Sequence, residues 1–394
     1  MKPVLTFSIA LLLSGAALTA RAGDFASAID AQMRAGYVFN SNPVLMDRME
    51  PDGLVTHTSL SWHLRYSFLR PQSGRTASVY QGIGFSATTF MQPRTVGTPL
   101  GVYVLQGAPI AALSDRLSLN FEWNFGATFG WQRTVKDQDI SSNLVVGSST
   151  NAYINLGLKL NYQPAAGIMV SGGIDLTHYS NGNTSWPNPG VNSIGGALGL
   201  TIIPGRRLFE RPRSPFTSDP DFVRHFSCDL TAYGAWRKAY FPSEDAAFTA
   251  EGERALLPGH FGVAGFAVAP MIDLHPTFRT GISADLQWSE NTGLDDYRVP
   301  DTYGEDVKFY KPPFLRQVSF GLSARAELVM PIFSINLGIG YVLAGPPETR
   351  RLYQTATLKT YIAGPLYLNI GYRMVEFRSP SNLMLGLGLT LGRK

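Results

Sequence analysis

Alternation of apolar and polar residues with a period of two runs through most of the chain. In 117–131 the odd positions are Leu117, Leu119, Phe121, Trp123, Phe125, Ala127, Phe129 and Trp131, separated by Ser118, Asn120, Glu122, Asn124, Gly126, Thr128 and Gly130. In 154–162, Ile154, Leu156, Leu158, Leu160 and Tyr162 alternate with Asn155, Gly157, Lys159 and Asn161. In 332–343, Phe333, Ile335, Leu337, Ile339, Tyr341 and Leu343 alternate with residues such as Ser334, Asn336, Gly338 and Gly340. Side chains on a strand point alternately to opposite faces, so each segment predicts a strand with one apolar and one polar or glycine face. The runs are about 11–15 residues long, whereas strands of a soluble sandwich are usually ~5–6 and a tilted membrane-crossing strand takes roughly 9–11. Connections alternate in length. Long ones fall at 41–53, 92–98, 132–149 and 181–190, and short ones near 70–77, 113–116 and 163–167. Outer-membrane barrels have this asymmetry between extracellular loops and periplasmic turns. The apolar face is therefore expected to meet lipid, with the backbone satisfied by closing the sheet.

About eight strands fit into 27–203 and about eight into 226–392. Between them, 204–224 carries Pro204, Pro212, Pro215, Pro220 and five arginines and reads as a periplasmic linker. The halves echo one another: Gly-Leu-Gly-Leu-Thr-Leu at 386–391 follows Ala-Leu-Gly-Leu-Thr-Ile at 197–202, and 366–376 matches 168–178 at an offset of 198 that keeps inside–outside parity. The expected fold is all-β, a transmembrane antiparallel β-barrel with two eight-stranded repeats, arranged as tandem barrels or as one sixteen-stranded barrel. The domain plan is a signal peptide at 1–22, a first repeat at 23–203, the linker at 204–224 and a second repeat at 225–394.

Composition supports that plan. Charged residues make up 16% of the 394 residues, below the roughly 25% of soluble domains, while 44% are hydrophobic and 40 are glycine. Apolar and aromatic content excludes a disordered chain, and the single cysteine, Cys228, excludes a disulfide scaffold. Lys2, the apolar run Val4 to Leu13 and Ala20-Arg21-Ala22 form an export signal with its cleavage site. Cleavage would remove Lys2 and Arg21, so 33 basic residues become 31 against 29 acidic, too small an excess to argue for nucleic acid.

One hairpin carries chemistry. On 168–180 the even side holds Ile168, Val170, Ile174 and Leu176, and the same parity continues to His178 and Ser180. On the next strand Ile194, Leu198, Leu200 and Ile202 share a face with Asn192. His178, Ser180 and Asn192 thus gather on the lipid-facing side, at the outer end of two neighbouring strands. Polar groups beside hydrocarbon are costly and need a reason. A serine hydroxyl becomes a nucleophile beside an imidazole base whose tautomer is fixed by a third group, here Asn192. Asn181 and the backbone amides at Gly182 and Asn183 could serve as an oxyanion hole. Other groups offer less. His57 and His63 lack further ligands for zinc, and Asp295, Asp296 and Glu305 read as a solvated acidic loop.

The segment His178-Tyr-Ser-Asn-Gly-Asn-Thr followed by Pro187-Asn-Pro-Gly-Val-Asn192 resembles the signature of the PagL family, the outer-membrane lipid A 3-O-deacylases. The motif spans about fifteen residues within a looser likeness over 27–203. The resemblance implies an eight-stranded barrel that hydrolyses the ester-linked hydroxyacyl chain at the 3-position of lipid A. It also implies catalytic roles for His178 and Ser180, with Asn181 matching the asparagine after the serine. Where better-known members carry a catalytic glutamate, this chain has Asn192, and odd parity turns Asp175 to the interior. In the second repeat, His178 corresponds to Glu376 and Ser180 to Arg378, with Ser381 opposite Asn192, so the nucleophile–base pair is lacking there. The implied partners are lipid A of lipopolysaccharide and outer-membrane lipids, with a homodimer left open, no nucleic acid, and neither cofactor nor metal called for. The alternative from a different class is a non-enzymatic barrel, a pore or a structural or lipid-binding protein.

Overall fold

The computed structural model describes residues 26–39, 57–69, 79–93, 96–132, 146–185, 188, 190–204, 212, 214–216, 221–239, 257, 259–300, 308–330, 333–377 and 379–392. The expected signal peptide and most of the expected linker lie outside these residues, as do Pro187, Pro189, Glu305, Arg378 and the side chain of Asp295. Eight strands make the first barrel: β1 (Ala26–Phe39), β2 (Thr58–Leu69), β3 (Tyr80–Thr89), β4 (Gly97–Ala112), β5 (Leu117–Trp131), β6 (Thr150–Ala165), β7 (Ile168–Ser180) and β8 (Val191–Ile202). Eight more make the second: β9 (Phe226–Arg237), β10 (Phe261–His275), β11 (Phe278–Ser289), β12 (Val318–Leu328), β13 (Phe333–Ala344), β14 (Leu352–Ala363), β15 (Leu366–Val375) and β16 (Ser379–Leu391). Each strand pairs antiparallel with its sequence neighbours, and β8 returns to β1 as β16 returns to β9, closing both sheets. The choice between one sixteen-stranded barrel and two of eight is thus decided for two. Two compact units result, Met1–Asn181 with Trp186–Ser218, and Gly182–Ser185 with Asp219–Lys394.

Parity sorts the side chains as the alternation predicts. Ile174, Leu176 and Leu198 are 64%, 53% and 71% exposed on the outer face, while their inward neighbours Asp175 and Ala197 are buried. One expectation fails at a strand end. Trp131 was placed with the outward odd positions of β5, yet it is buried, donating Nε1–H to the inward Thr128 Oγ1 at 2.8 Å and packing on Phe90 and Tyr179. The cause is Gly130, whose φ of +88° breaks the pleat just before it.

An eight-stranded barrel leaves room for side chains only, so its polar inward face must pair internally. In the first barrel three acids meet three bases. Arg65 donates to Asp30 (2.5 Å) and Glu122 (2.6 Å), Lys159 pairs with Glu122, and Arg34 pairs with Asp175 at 2.5 Å. Tyr80 and Thr201 add hydroxyl donors to Glu122 and Asp30, both at 2.7 Å. In the second barrel Lys359 bridges Asp229 and Glu327 at 2.6 Å each, Arg279 spans the same two acids, and Arg325 pairs with Asp285 at 2.7 Å. The cavities left beside these networks hold about 20 Å³ each, space for about one or two waters.

Two outcomes follow from a lumen filled in this way. Glu122→Gln leaves Arg65 and Lys159 short of an acid and should lower stability by about 3–5 kcal/mol. Urea unfolding in lipid vesicles measures this, and Glu122→Gln/Lys159→Gln should lose less than the single change. The purified protein should also give no steady open-channel conductance in planar bilayers, where a porin would.

Candidate active site

β7 and β8 form a hairpin in which His178 pairs directly with Asn192 in register. The even face of β7 carries Ile174 and Leu176 outwards, and His178 continues that face at the outer end. The imidazole Nδ1–H donates to Asn192 Oδ1 at 2.7 Å. A carboxamide oxygen only accepts, so this bond places the proton on Nδ1 and leaves the Nε2 lone pair facing away from Asn192. Ser180 follows two residues along the same face, ~7 Å further on along the strand. Its neighbour across the ladder is Ala152, a small side chain, while His178 stands opposite Ile154. The geometry thus joins His178 to Asn192 and sets Ser180 beside them, with no hydrogen bond between the Ser180 hydroxyl and the imidazole.

The loop beyond β7 places the other expected residues. Asn181 donates its backbone N–H to Asn188 Oδ1 at 3.0 Å, so that amide is occupied. Gly182 and Asn183 form a turn with φ of +64° at both, the left-handed region that glycine and asparagine tolerate best. Asp175, excluded from the site on parity, is indeed inside the barrel on Arg34.

Two supports were not foreseen. Gly190 (φ +72°) lies against the imidazole; a Cβ there would sit 3.1 Å from His178 Cε1 and press on the ring, and the positive φ itself favours glycine. Tyr179, between His178 and Ser180 on the opposite face, is buried among Trp131, Tyr153 and Phe90 with ring centroids 5.2, 5.5 and 5.9 Å away. Its odd parity signalled an inward ring, but its partners come from β5, β6 and the residue just past β3. A second serine–histidine pair also exists. Ser61 and His63 on β2 are hydrogen-bonded at 2.8 Å, and His63 bonds in turn with Tyr103 at 2.8 Å. All three side chains are buried in the lumen, which removes them from any lipid substrate. His57 bonds with the Val38 carbonyl and stacks on Tyr37.

On the outer face of β8, β1, β2 and β3 runs an apolar groove of about 1000 Å³, lined by Ala31, Ala35, Trp62, Leu64, Phe85 and Leu198 among others. It opens towards lipid because the small side chains of Ala31 and Ala35 are flanked by large exposed ones. Leu198 shares the face of Asn192 on β8, six residues nearer the periplasmic end.

In the second barrel the equivalent hairpin is built differently. β15 ends at Val375, and Glu376 and Phe377 form the turn with φ of +54° and +57°. Glu376 therefore leaves the strand where His178 continues it.

A closed barrel with apolar outer faces and a histidine–serine–asparagine group at the lipid boundary defines an integral outer-membrane protein. Residues 51–201 match the family model for "Lipid A 3-O-deacylase (PagL)", and residues 226–393 match "Acyloxyacyl hydrolase, C-terminal domain". The two matches cover most of the chain, which belongs to the PagL family of outer-membrane lipid A deacylases. No curated protein matches it. Among solved structures it is similar to the outer-membrane enzyme PagL, at 18% identity over 44% of this chain and 99% of that one, with a TM-score of 0.28. It is also similar to the siderophore receptor PirA of Pseudomonas aeruginosa, at 10% identity over 93% of this chain and 80% of that one, with a TM-score of 0.25.

The aromatic anchor beneath the hairpin makes a stability prediction. Tyr179→Ala should cost about 3–5 kcal/mol and loosen the outer end of β7. Chemical denaturation checks the first, and amide exchange at 176–180 should rise more than at 168–172.

Proposed function

We propose that the protein removes the 3-O-linked hydroxyacyl chain from lipid A, using Ser180 as nucleophile and His178 as general base and then general acid. The observation that carries this reading is the 2.7 Å bond from His178 Nδ1–H to Asn192 Oδ1 on the lipid-facing side of the hairpin. With the proton held on Nδ1, Nε2 can accept the Ser180 proton as Oγ attacks the ester carbonyl. Asn181, with the amides of Gly182 and Asn183 after it, would stabilise the oxyanion. The imidazolium then returns its proton to the departing 3-hydroxyl of the sugar, leaving an acyl-serine. Water attacks that ester with His178 again as base, releasing the hydroxy fatty acid and free Ser180. Asn192 orients the ring without adding negative charge, so it offsets the imidazolium's charge less than a carboxylate would. The groove beside β1 supports the same reading. It offers an acyl chain an apolar bed on the membrane side of the hairpin.

Ser180→Ala should abolish the loss of one hydroxyacyl chain, read by mass spectrometry of lipid A after incubation with lipopolysaccharide. Asn192→Ala should lower kcat by about 10²-fold, the scale of a misplaced general base, while Asn192→Glu should raise it. A rate indifferent to all three changes would sink this assignment.

A further inference from the structure

The lumens of the two barrels differ in charge at one place. Among the described residues, the first barrel's buried acids Asp30, Glu122 and Asp175 are matched by Arg34, Arg65 and Lys159. The second barrel sets Asp229, Asp285 and Glu327 against Arg279, Arg325 and Lys359, with Asp273 also on Arg279 at 3.1 Å near the short-turn end, away from the outer mouth. It then adds two inward-facing arginines, Arg237 on β9 and Arg373 on β15, with no carboxylate partner among the described residues.

Both sit at the outer end. β9 leaves Arg237 for the long connection 238–260, whereas β10 and β11 are joined at the other end by Pro276 and Thr277 alone. Arg373 pairs in register with Asn382, and the β16–β9 register carried three residues past Leu385 and Gly234 brings Asn382 level with Arg237. The two arginines therefore stand two strands apart, about 10 Å between backbones, on one face.

Neutral groups hold both guanidiniums. Arg237 donates to Asn291 Oδ1 (2.9 and 3.0 Å), Ser289 Oγ (2.8 Å), and Ser381 Oγ and O (3.1 and 3.4 Å). Arg373 donates Nη1–H to Gln287 Oε1 at 3.0 Å and lies 3.9 Å over the Tyr353 ring. Gln287 and Ser289 are successive inward residues of β11, about 7 Å apart, so the cationic heads are drawn to within reach of one small ligand. Two like charges collected in a mostly dehydrated space raise the free energy of the empty site, and a dianion between them would lower it.

The geometry points to an oxyanion site at the outer mouth of the second barrel, with Arg237 and Arg373 clasping a phosphate group. A guanidinium offers two parallel N–H donors to phosphate oxygens; Arg237 is half-buried, and a phosphate there would take over donors that now go to the neutral oxygens of Ser381 and Asn291. The phosphate can be one carried by lipopolysaccharide or a free ion, and the site is independent of the hydrolysis assigned to the first barrel.

The full-length Ser180→Ala protein in detergent, which cannot turn over substrate, is the test material. It is titrated calorimetrically with inorganic phosphate, with deep-rough lipopolysaccharide, and with the same lipopolysaccharide after enzymatic dephosphorylation. Arg237→Gln/Arg373→Gln should bind the phosphorylated lipopolysaccharide about tenfold or more weakly and the dephosphorylated form unchanged. Arg237→Lys/Arg373→Lys, which keeps both charges, should retain most of the affinity. Loss confined to inorganic phosphate would identify the free ion as the ligand and leave the site standing. Equal binding of every probe by the parent and the Gln variant would overturn it. Should the Gln variant fail to migrate as a folded barrel, equal parent affinities for the two lipopolysaccharides, without phosphate binding, would overturn it as well.

Discussion

Hydrocarbon offers no hydrogen-bond partner to a peptide group, and every main feature of this chain answers that constraint. Strands cannot stand with open edges in lipid, so each set of eight closes, β8 on β1 and β16 on β9. Closure at eight strands leaves an interior only side-chain wide. The side of each strand turned from lipid is polar, and that polarity must be spent inside. The buried ion pairs follow from this geometry. They exist because an inward lysine such as Lys159 has no solvent to turn to and finds Glu122 instead.

How far sequence could read this structure depends on how far apart the partners lie along the chain. Alternation in 117–131 coincides with β5, because parity is a local property. It departs at Trp131, where Gly130 alters the backbone path and the indole turns to Tyr179 and Phe90, while Trp123 and Ala127 on the odd side are buried as well. His178 and Asn192 were legible as neighbours since one hairpin joins them. Gly190 was not, since its part depends on a backbone angle and on the imidazole's edge. Nor were the ion pairs. Parity marks Arg34 and Asp175 as inward, but their meeting depends on the stagger with which the sheet closes, 141 residues apart along the chain. The same dependence kept the number of barrels out of reach of the sequence.

The two barrels solve one problem with the same chemistry and different wiring. In each, a threonine on the last strand donates to an aspartate on the first, Thr201 to Asp30 and Thr390 to Asp229. In each, an arginine joins that aspartate to a glutamate and a lysine pairs with the same glutamate. Yet the arginine and glutamate stand on β2 and β5 in the first barrel and on β11 and β12, the third and fourth strands, in the second. A lumen selected for charge balance tolerates such exchange, since what it needs is opposite charges within reach rather than fixed positions. The lipid-facing hairpin is less tolerant. Ending β15 at Val375 is enough to take Glu376 off the strand.

On the proposed assignment, the placement of His178 on the oily side of its strand has a consequence for supply. A site that opens to the leaflet meets its substrate by sideways diffusion in two dimensions, so the quantity that sets its working rate is a surface density. Lipids already surround the barrel, and arrival requires no extraction of a chain from the membrane. What governs throughput is then how readily neighbouring lipids exchange places, which stiffens or loosens with the packing of the leaflet itself.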